Sequence, residues 1–134
     1  IRLRSFFFIY PKLILSFMKN LSSIILKPTD SLELVIQTLQ KGGLRIVMIV
    51  NEDSQLLGII TDGDLRRMLE NNSDISSLKA SDIMCTTPKK ISSDKLASFA
   101  LTILEQNNIS QLVVVDDEKY IGIVHIHDIL KEGI

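Results

Sequence analysis

The sequence predicts an α+β fold in which one β-α-β-β-α unit occurs twice. Short continuous apolar runs are typical of buried strands, and other apolar residues recur at helical spacing. The segment 56–69, LLGIITDGDLRRML, has a partner at 120–130, YIGIVHIHDIL, at a spacing of 64 residues. The chain therefore contains an internal repeat, and its function has to be deduced from both copies.

The first copy begins with a strand and a helix. The strand is predicted at 24–26 and ends at Pro28, and Asp30 is predicted to be the N-cap of the helix that follows. That helix covers about 31–41 and ends at the glycine pair 42–43. Its buried stripe consists of Leu32, Val35, Ile36 and Leu39.

A hairpin and a second helix complete the first copy. The apolar runs 45–50 and 57–60 are predicted to pair as antiparallel strands across a polar turn. Thr61 or Asp62 is then predicted to cap a helix over 62–70, which carries Leu65, Met68 and Leu69 on one face.

The second copy repeats this order. Its strands and last helix are predicted at 89–91, 111–115, 121–124 and about 127–132. Its middle helix has Asp94 as the predicted N-cap and the asparagine pair 107–108 in place of the glycines. The predicted stripe of that helix consists of Leu96, Phe99, Ala100, Ile103 and Leu104.

The domain organisation follows from the repeat. We expect a tail or linker remnant at 1–14, a first repeat at 15–78 and a second repeat at 79–134. A three-stranded sheet with helices on one face leaves its other face apolar, so the two pseudo-twofold-related repeats are expected to pack sheet to sheet. The loops that end at Thr61 and His125 would then border a central cleft and provide two candidate ligand sites.

Composition excludes several classes of partner. The formal net charge of −1 argues against a nucleic-acid-binding protein, which needs a basic face. The basic, apolar start of the chain is interrupted at Pro11 and is too short to span a bilayer, so no membrane partner is predicted. The single Cys85 fits a reducing, cytoplasmic location, and no base next to it in sequence supports a nucleophilic role.

The first candidate site lies where the strand meets the helix at Thr61. Backbone N–H groups at a helix start have no helical partner and lie at the positive end of the dipole. A hydroxyl at Thr61 and such amides suit a phosphate, and the carboxylate of Asp64 suits a ribose diol. Asp62, Arg45 and Lys27 are predicted to complete this ligand-binding site. The alternative is that Thr61 is only an N-cap and Asp64 only a favourable first-turn acid.

The second candidate site contains His125 and Asp128. His125 is predicted to be a pH-sensitive contact for an anion, and His127 is predicted to be a helix cap. Two histidines and a carboxylate can bind zinc, but their spacing across a strand end and a helix start argues against a metal site. The sequence contains no P-loop, no dinucleotide fingerprint and no Ser-His-Asp arrangement, so neither a catalytic cofactor nor a catalytic residue is predicted.

Four motifs resemble those of a tandem pair of CBS domains (cystathionine β-synthase domains), also called a Bateman module. They are SDIM at 81–84, VVVD at 113–116, GIITDGDL at 58–65 and GIVHIHDIL at 122–130. In the CBS pairs that bind adenine nucleotides, a hydroxyl residue lies by the phosphate and an Asp three residues later holds the ribose. Thr61 and Asp64 match that pattern, whereas His125 and Asp128 keep only the Asp.

A closer resemblance is to the C-terminal CBS pair of arabinose-5-phosphate isomerases, and KGGLRIVMIV at 41–50, TDGDLRR at 61–67 and HIHDILKEG at 125–133 carry it. Those enzymes join an N-terminal sugar-isomerase domain to the pair and serve a pathway to an acidic sugar. The resemblance implies a sugar-isomerase catalytic domain as partner, and no enzymatic activity for this chain alone. The KGGLRI segment also resembles CBS pairs fused to sugar-nucleotidyltransferases, which is an alternative.

The sequence thus leads to two hypotheses. The first is a regulatory module that senses an adenine nucleotide or a CMP-linked sugar, belongs to homodimers of CBS pairs and controls a sugar-phosphate isomerase. The second is a structural dimerisation module with degenerate ligand sites, whose signature would be exposed apolar helix faces. The residues expected on these faces are Leu65, Met68, Leu69, Ile129 and Leu130.

Overall fold

The computed structural model describes residues 12–19, 22–41, 45–72 and 74–131. These residues form two compact units, each with its own sheet and core. The first-repeat unit contains residues 22–88, and the second-repeat unit combines residues 12–19 with 89–131. Both units contain the predicted order strand, helix, strand, strand, helix, so the α+β fold with a repeated β-α-β-β-α unit is confirmed. The sheet-to-sheet packing and the pseudo-twofold axis stay predictions.

The first-repeat unit is built on a three-stranded sheet. Its elements are β1 (Ile25–Leu26), α1 (Leu32–Lys41), β2 (Ile46–Val50), β3 (Leu56–Thr61), α2 (Asp62–Asn71) and the short helix α3 (Ala80–Ile83). Strand β1 is parallel to β2, and β2 is antiparallel to β3, with Ile46 opposite Thr61. The core is aliphatic and consists of Leu26, Val35, Leu39, Val47, Ile49, Ile60 and Ala80.

The second-repeat unit has the same sheet topology. Its elements are β4 (Lys90–Ile91), α4 (Ala97–Gln106), β5 (Gln111–Asp116), β6 (Lys119–His125) and α5 (Ile126–Lys131). Asp117 and Glu118 both have positive φ, which is the backbone conformation of a tight two-residue hairpin turn between β5 and β6. Asn108, with φ 55°, reverses the chain after α4, as the predicted asparagine pair requires.

Each sheet receives an additional segment from outside its own sequence repeat. We name residues 12–19 the leading segment and residues 79–88 the connecting segment. The leading segment pairs with the second sheet, where Lys19 and Ile123 exchange backbone hydrogen bonds of 2.8 and 2.9 Å. The connecting segment pairs with the first sheet, where Cys85 and Ile59 exchange bonds of 2.8 and 3.0 Å.

The leading segment also contributes to a core that belongs to the other repeat. Ile14 and Phe17 are buried among residues of α4, β5, β6 and α5. The sequence boundaries 15–78 and 79–134 stay predictions for the repeats, but the compact units have different boundaries. The predicted tail therefore includes one residue, Ile14, that is fully buried.

The N-cap residue predicted for the first helix, Asp30, is wrong. Helix α1 begins one residue after Ser31, whose Oγ accepts a hydrogen bond of 3.2 Å from the N–H of Leu34. Ser31 is therefore the N-cap, because its hydroxyl satisfies an otherwise unpaired helix donor. Asp30 instead accepts a bond of 2.8 Å from the N–H of Lys27 and closes the turn before the helix.

The apolar stripe of α4 also differs from the prediction. Leu96 and Phe99 are exposed, the latter by 49%, and the buried residues are Ala97, Ala100 and Leu104. Ala100 and Leu104 of the predicted stripe are thus buried as expected, but apolar residues occur on more than one face of this helix, so spacing alone wrongly adds Leu96 and Phe99 and omits Ala97. Asp94 is not its N-cap, because it accepts a bond from the Ser92 hydroxyl at 2.6 Å and α4 begins only at Ala97.

The apolar faces predicted for α2 and α5 are only partly exposed. Leu69 and Leu130 are each 44% exposed, but Met68 and Ile129 are buried in the cores. The glycine pair 42–43, residues 1–11 of the predicted tail and residue 132 of the predicted last helix lie outside the described residues. Among the residues that the structure does describe, no helix has the length and apolarity needed to cross a bilayer.

Candidate functional site

The first candidate site is built at the junction of β3 and α2. Strand β3 carries an apolar run into the sheet and ends at Thr61, whose backbone is still extended at φ −113° and ψ 170°. The chain then turns directly into α2, so Thr61 occupies the N-cap position. The structure thus places the predicted hydroxyl residue where a helix begins and its N–H groups are free of helical partners.

Thr61 and Asp64 form a reciprocal capping box. Asp64 N–H donates to Thr61 Oγ1 at 3.3 Å, and Thr61 N–H donates to Asp64 Oδ2 at 3.0 Å. The Thr61 hydroxyl donates to the same Oδ2, also at 3.0 Å. This arrangement satisfies helix donors and fixes the carboxylate of Asp64 at the helix start.

Arg67 occupies the other oxygen of Asp64. Its Nη2 lies 2.6 Å from Asp64 Oδ1, and the arginine side chain is 63% exposed. Solvent reaches this pair on the arginine side, whereas the Asp64 side chain is only 17% exposed, so a ligand that replaces Arg67 gives up an ion pair worth on the order of 1 kcal/mol. The sequence analysis did not predict this pairing, although the i,i+3 spacing of Asp64 and Arg67 on a helix is a signal for it.

Arg45 and Asp62 form the second pair at this end of the first sheet. Arg45 Nη1 lies 2.6 Å from Asp62 Oδ2, and the Arg45 side chain is 77% exposed. Arg45 has φ 58°, an uncommon backbone conformation for a residue other than glycine, and a cost of about 1 kcal/mol accompanies it. Only one of its five N–H donors is used by Asp62, so the guanidinium retains donors for an anion.

A pocket of about 470 Å³ lies beside this pair, within the first-repeat unit. Its lining residues are Ile36, Leu39, Gln40, Arg45, Asp62 and Leu65. It therefore combines an apolar wall from α1 and α2 with one cation, one carboxylate and one amide. Small-molecule sites typically combine apolar walls with a few polar groups in this way.

Lys27 does not lie with the other predicted residues. Lys27 follows β1, and the register of β1 on β2 places it beside Val50. Thr61 pairs with Ile46, at the opposite end of β2. Four residues of strand separate the two levels, which corresponds to roughly 13 Å. The structure thus brings together Arg45, Thr61, Asp62 and Asp64, and it separates Lys27 from them.

The second candidate site is held by different side chains. His125 ends β6, and its Nδ1 accepts a hydrogen bond of 3.1 Å from the N–H of His127. The rings of His125 and His127 stack, with centroids 4.9 Å apart and planes 20° apart. His125 is therefore the residue that caps α5, and the prediction that His127 is the cap is wrong.

Asp128 has a partner that sequence reasoning missed. Lys19 Nζ of the leading segment lies 3.5 Å from Asp128 Oδ2. No local pattern signals this contact, because it depends on the pairing of the leading segment with β6. Among the described residues, no group of three or more His, Cys, Asp or Glu side chains is placed to bind a metal ion.

The electrostatics of the second site favour a neutral imidazole. Burial lowers the pKa of His125 below its usual 6.5, and the nearby His127 and Lys19 lower it further, against an opposing effect of Asp128. A neutral ring is a weaker contact for an anion than a charged one. The role of His125 as an anion contact stays a prediction, and this pKa shift weighs against it.

The repeat and its motifs match a known family. The CBS domain family matches residues 17–71 and again residues 80–134. The chain belongs to the CBS domain family. A CBS pair is a regulatory, ligand-sensing module and not a catalytic one.

Two curated relatives are arabinose 5-phosphate isomerases named KdsD. The one from Francisella tularensis is 41% identical over 108 residues, which cover 80% of this chain and 33% of the relative. The one from Pseudomonas aeruginosa is 36% identical over 105 residues, which cover 78% of this chain and 32% of the relative. The chain therefore spans about one third of the length of these relatives.

Solved CBS pairs share the fold. The CBS domain pair of protein MJ0100, solved in complex with 5′-methylthioadenosine and S-adenosyl-L-methionine, has a TM-score of 0.77 and 25% identity over 90% of this chain and 94% of that one. CBSX2, solved in complex with AMP, has a TM-score of 0.76 and 21% identity over 89% of this chain and 93% of that one.

Proposed function

We propose that this chain is the regulatory module of a cytoplasmic sugar-phosphate isomerase of the arabinose 5-phosphate type, and that it binds a nucleotide or nucleotide-sugar at the start of α2. The observation that carries the proposal is the start of α2, where the hydrogen-bonded pair Thr61 and Asp64 flanks Asp62, which lines a pocket together with its partner Arg45. The KdsD relatives supply the class of partner enzyme, and they favour it over a sugar-nucleotidyltransferase.

The ligand class follows from the chemistry of these groups. The Asp64 carboxylate can accept hydrogen bonds from both hydroxyls of a ribose, once Arg67 has moved away. Arg45 has donors for a phosphate, and the apolar wall from α1 and α2 suits a flat base. The MJ0100 pair was solved with two adenosine derivatives, which supports an adenine nucleotide as the first candidate. A CMP-linked acidic sugar is the second candidate, because it corresponds to the pathway of the proposed parent enzyme.

The proposed regulation requires two states with different affinities for the ligand. In the state described here, Arg67 holds Asp64 Oδ1 and Asp62 holds Arg45. A bound nucleotide would exchange both ion pairs for contacts with itself, and so stabilise a second arrangement of α2. Only this difference in affinity can be transmitted to a catalytic domain.

The test is a thermal-shift panel with AMP, ADP, ATP, CMP and a CMP-linked acidic sugar. A ligand far above its Kd raises the melting temperature by mass action, which we expect as a shift of a few degrees for one ligand of the panel. The decisive variant is Asp64→Glu, because Glu preserves a capping box but moves the carboxylate by one methylene. We expect this variant to keep its stability and to lose the ligand shift.

Ser31→Ala is the matched control. It removes the cap of α1 at a residue that does not line the pocket, and it should cost about 1 kcal/mol without changing the ligand shift. A flat panel for the wild-type chain would contradict the proposal. So would a ligand shift that Asp64→Glu leaves intact.

A structural dimerisation module is the second candidate function. It is favoured by one observation: Asp64 already has partners on both oxygens, in Thr61 and Arg67. Leu69 and Leu130 are exposed leucines on helices, as an interface between two CBS pairs would need. Sedimentation of the wild type and of Leu69→Glu, together with the thermal-shift panel, distinguishes the two candidates. A dimerisation module without functional ligand sites should show no thermal shift with any ligand, and its dimer should dissociate in Leu69→Glu.

A further inference from the structure

We propose that His125 is a proton-sensitive N-cap, which loosens the start of α5 in mild acid while α2, its counterpart in the first repeat, is unaffected. The inference goes beyond the proposed function, and it does not require a ligand at either site. It concerns how the two repeats respond differently to the same change in the medium.

The geometry of the cap defines the proton that matters. His125 Nδ1 accepts from the N–H of His127 at 3.1 Å, so this nitrogen uses its lone pair and the ring proton is on Nε2. A second proton can bind only at Nδ1. An imidazolium donates at both nitrogens and accepts at neither, so protonation removes the cap and turns an attraction into a repulsion between two donors.

Three charged or titratable groups face His125. The His127 ring stacks on it from α5, at 4.9 Å between centroids. Asp128 lies on the same helix, and Lys19 reaches Asp128 from the leading segment at 3.5 Å. On the neighbouring strand β5, the residue opposite His125 is the neutral Gln111. Burial, followed by His127 and Lys19, lowers the pKa of His125, and Asp128 opposes this effect.

The first repeat provides an internal comparison. The equivalent cap of α2 is Thr61, a hydroxyl that does not titrate in this range. Both residues are the last of a strand and are followed at once by a helix, at β3–α2 and β6–α5. The side-chain acceptor at the N-cap position is therefore a titratable imidazole in one repeat and a non-titratable hydroxyl in the other.

The direction of the pH dependence follows from linkage. Because the pKa of His125 is lower in the folded chain than in the unfolded chain, the unfolded chain binds more protons between the two values. The stabilisation is fully present above the usual 6.5, and it is lost as the pH falls through the lower, folded value. We expect loss of the cap to raise the equilibrium constant for opening the first turn of α5 by about fivefold.

The experiment measures amide hydrogen exchange of the full chain by NMR, from about pH 7.5 to about pH 5, the range in which a histidine titrates. Rates are corrected for the intrinsic pH dependence of exchange. We expect protection in the first turn of α5 to fall by about fivefold across this range, and protection in the first turn of α2 to stay constant. His125→Thr, which copies the cap of the first repeat, should abolish the fall in α5.

His127→Ala is the matched control. It removes the stacked ring but keeps the backbone N–H that His125 accepts from, so the pH-dependent fall in α5 should persist. A fall that persists in His125→Thr, or an equal fall in α2, would overturn the proposal.

A direct titration keeps the proposal testable if His125→Thr does not fold. The imidazole signals of the wild-type chain should show the Nε2–H form of His125 at neutral pH and a midpoint below 6.5. An Nδ1–H form, or a midpoint at or above 6.5, would overturn it.

Discussion

Two glycines at equivalent positions explain part of the repeated motif. A Cβ on Gly58 would lie 2.7 Å from the carbonyl oxygen of Cys85, and a Cβ on Gly122 would lie 2.9 Å from that of Lys19. Both distances are shorter than any normal contact, because in each unit an additional segment crosses directly over the glycine. The sequence shows that glycine occurs at both positions, and the structure shows that backbone contact is the reason.

Gly58→Ala should therefore destabilise the first-repeat unit. The new methyl group collides with backbone and with the Met84 side chain, so we expect a loss of roughly 1–3 kcal/mol, which is the range for overpacking. Urea denaturation measures it. Gly63→Ala is the control, since its Cβ would meet the flexible end of Arg67 at 3.4 Å and Thr61 Oγ1 at an ordinary 3.7 Å, and alanine in α2 should stabilise by about 0.5–1 kcal/mol. Equal stability of Gly58→Ala and the wild type would contradict the close approach.

A second prediction at the residue scale concerns acid stability. The hydrogen bonds from the hydroxyl and the N–H of Ser93 lower the pKa of Asp116, so the stabilisation is present above the usual 3.8 and is lost as the pH falls below it. Ser93→Ala removes the hydroxyl bond, and we expect the pKa of Asp116 to rise and the chain to unfold at a higher pH. Carboxyl NMR shifts and acid titration followed by circular dichroism measure the two effects. An unchanged pKa of Asp116 would show that the hydroxyl bond does not form in solution.

At the scale of elements, the sequence predicts well which segments are helices or strands, and predicts poorly which segments contact one another. The strands were predictable because runs such as that of β2 are continuously apolar and end at polar turns. Helix α1 was predictable because the apolar residues of its buried stripe lie on one face of the helix. Helix α4 has apolar residues on several faces, so the exposure of Phe99 was not predictable. The cap by His125 was missed because the last helix was predicted to begin at about residue 127, whereas α5 begins at Ile126 and is capped by the residue before it.

The candidate site shows the same limit. Thr61 and Asp64 were predictable because a hydroxyl and a carboxylate three residues apart are a local pattern at a helix start. The contact between Lys19 and Asp128 was not, because it depends on which sheet the leading segment joins. The local sequence pattern of a short apolar segment does not indicate which sheet it joins.

The leading segment provides a prediction at this scale. Ile14→Ala should destabilise the second-repeat unit by about 2–5 kcal/mol, since Ile14 is fully buried in that core. Leu15→Ala is the control, because Leu15 is 57% exposed and should change stability by less than about 0.5 kcal/mol. Urea denaturation of both variants measures the difference. Similar stabilities for the two variants would mean that the leading segment does not belong to the core.

At the scale of the whole molecule, the two units differ in continuity. The first-repeat unit is one uninterrupted stretch, 22–88, whereas the second-repeat unit takes its core from two separate stretches. We therefore expect a fragment of residues 21–88 to unfold cooperatively in urea, and a fragment of residues 89–134 not to do so. Joining residues 12–19 to the latter through a Gly-Ser linker should restore a cooperative transition. Cooperative unfolding of residues 89–134 alone would contradict this prediction.

The interlaced segments also have a consequence for how such a chain is inherited. A recombination event or a frameshift that separated the two repeats at the sequence boundary would leave each of them without a piece of its own sheet. Neither repeat could be exchanged by recombination on its own, because the leading segment or the connecting segment that completes its sheet lies at the start of the other repeat and would have to be transferred with it. Selection against such breaks would keep the two repeats together as a single unit of descent.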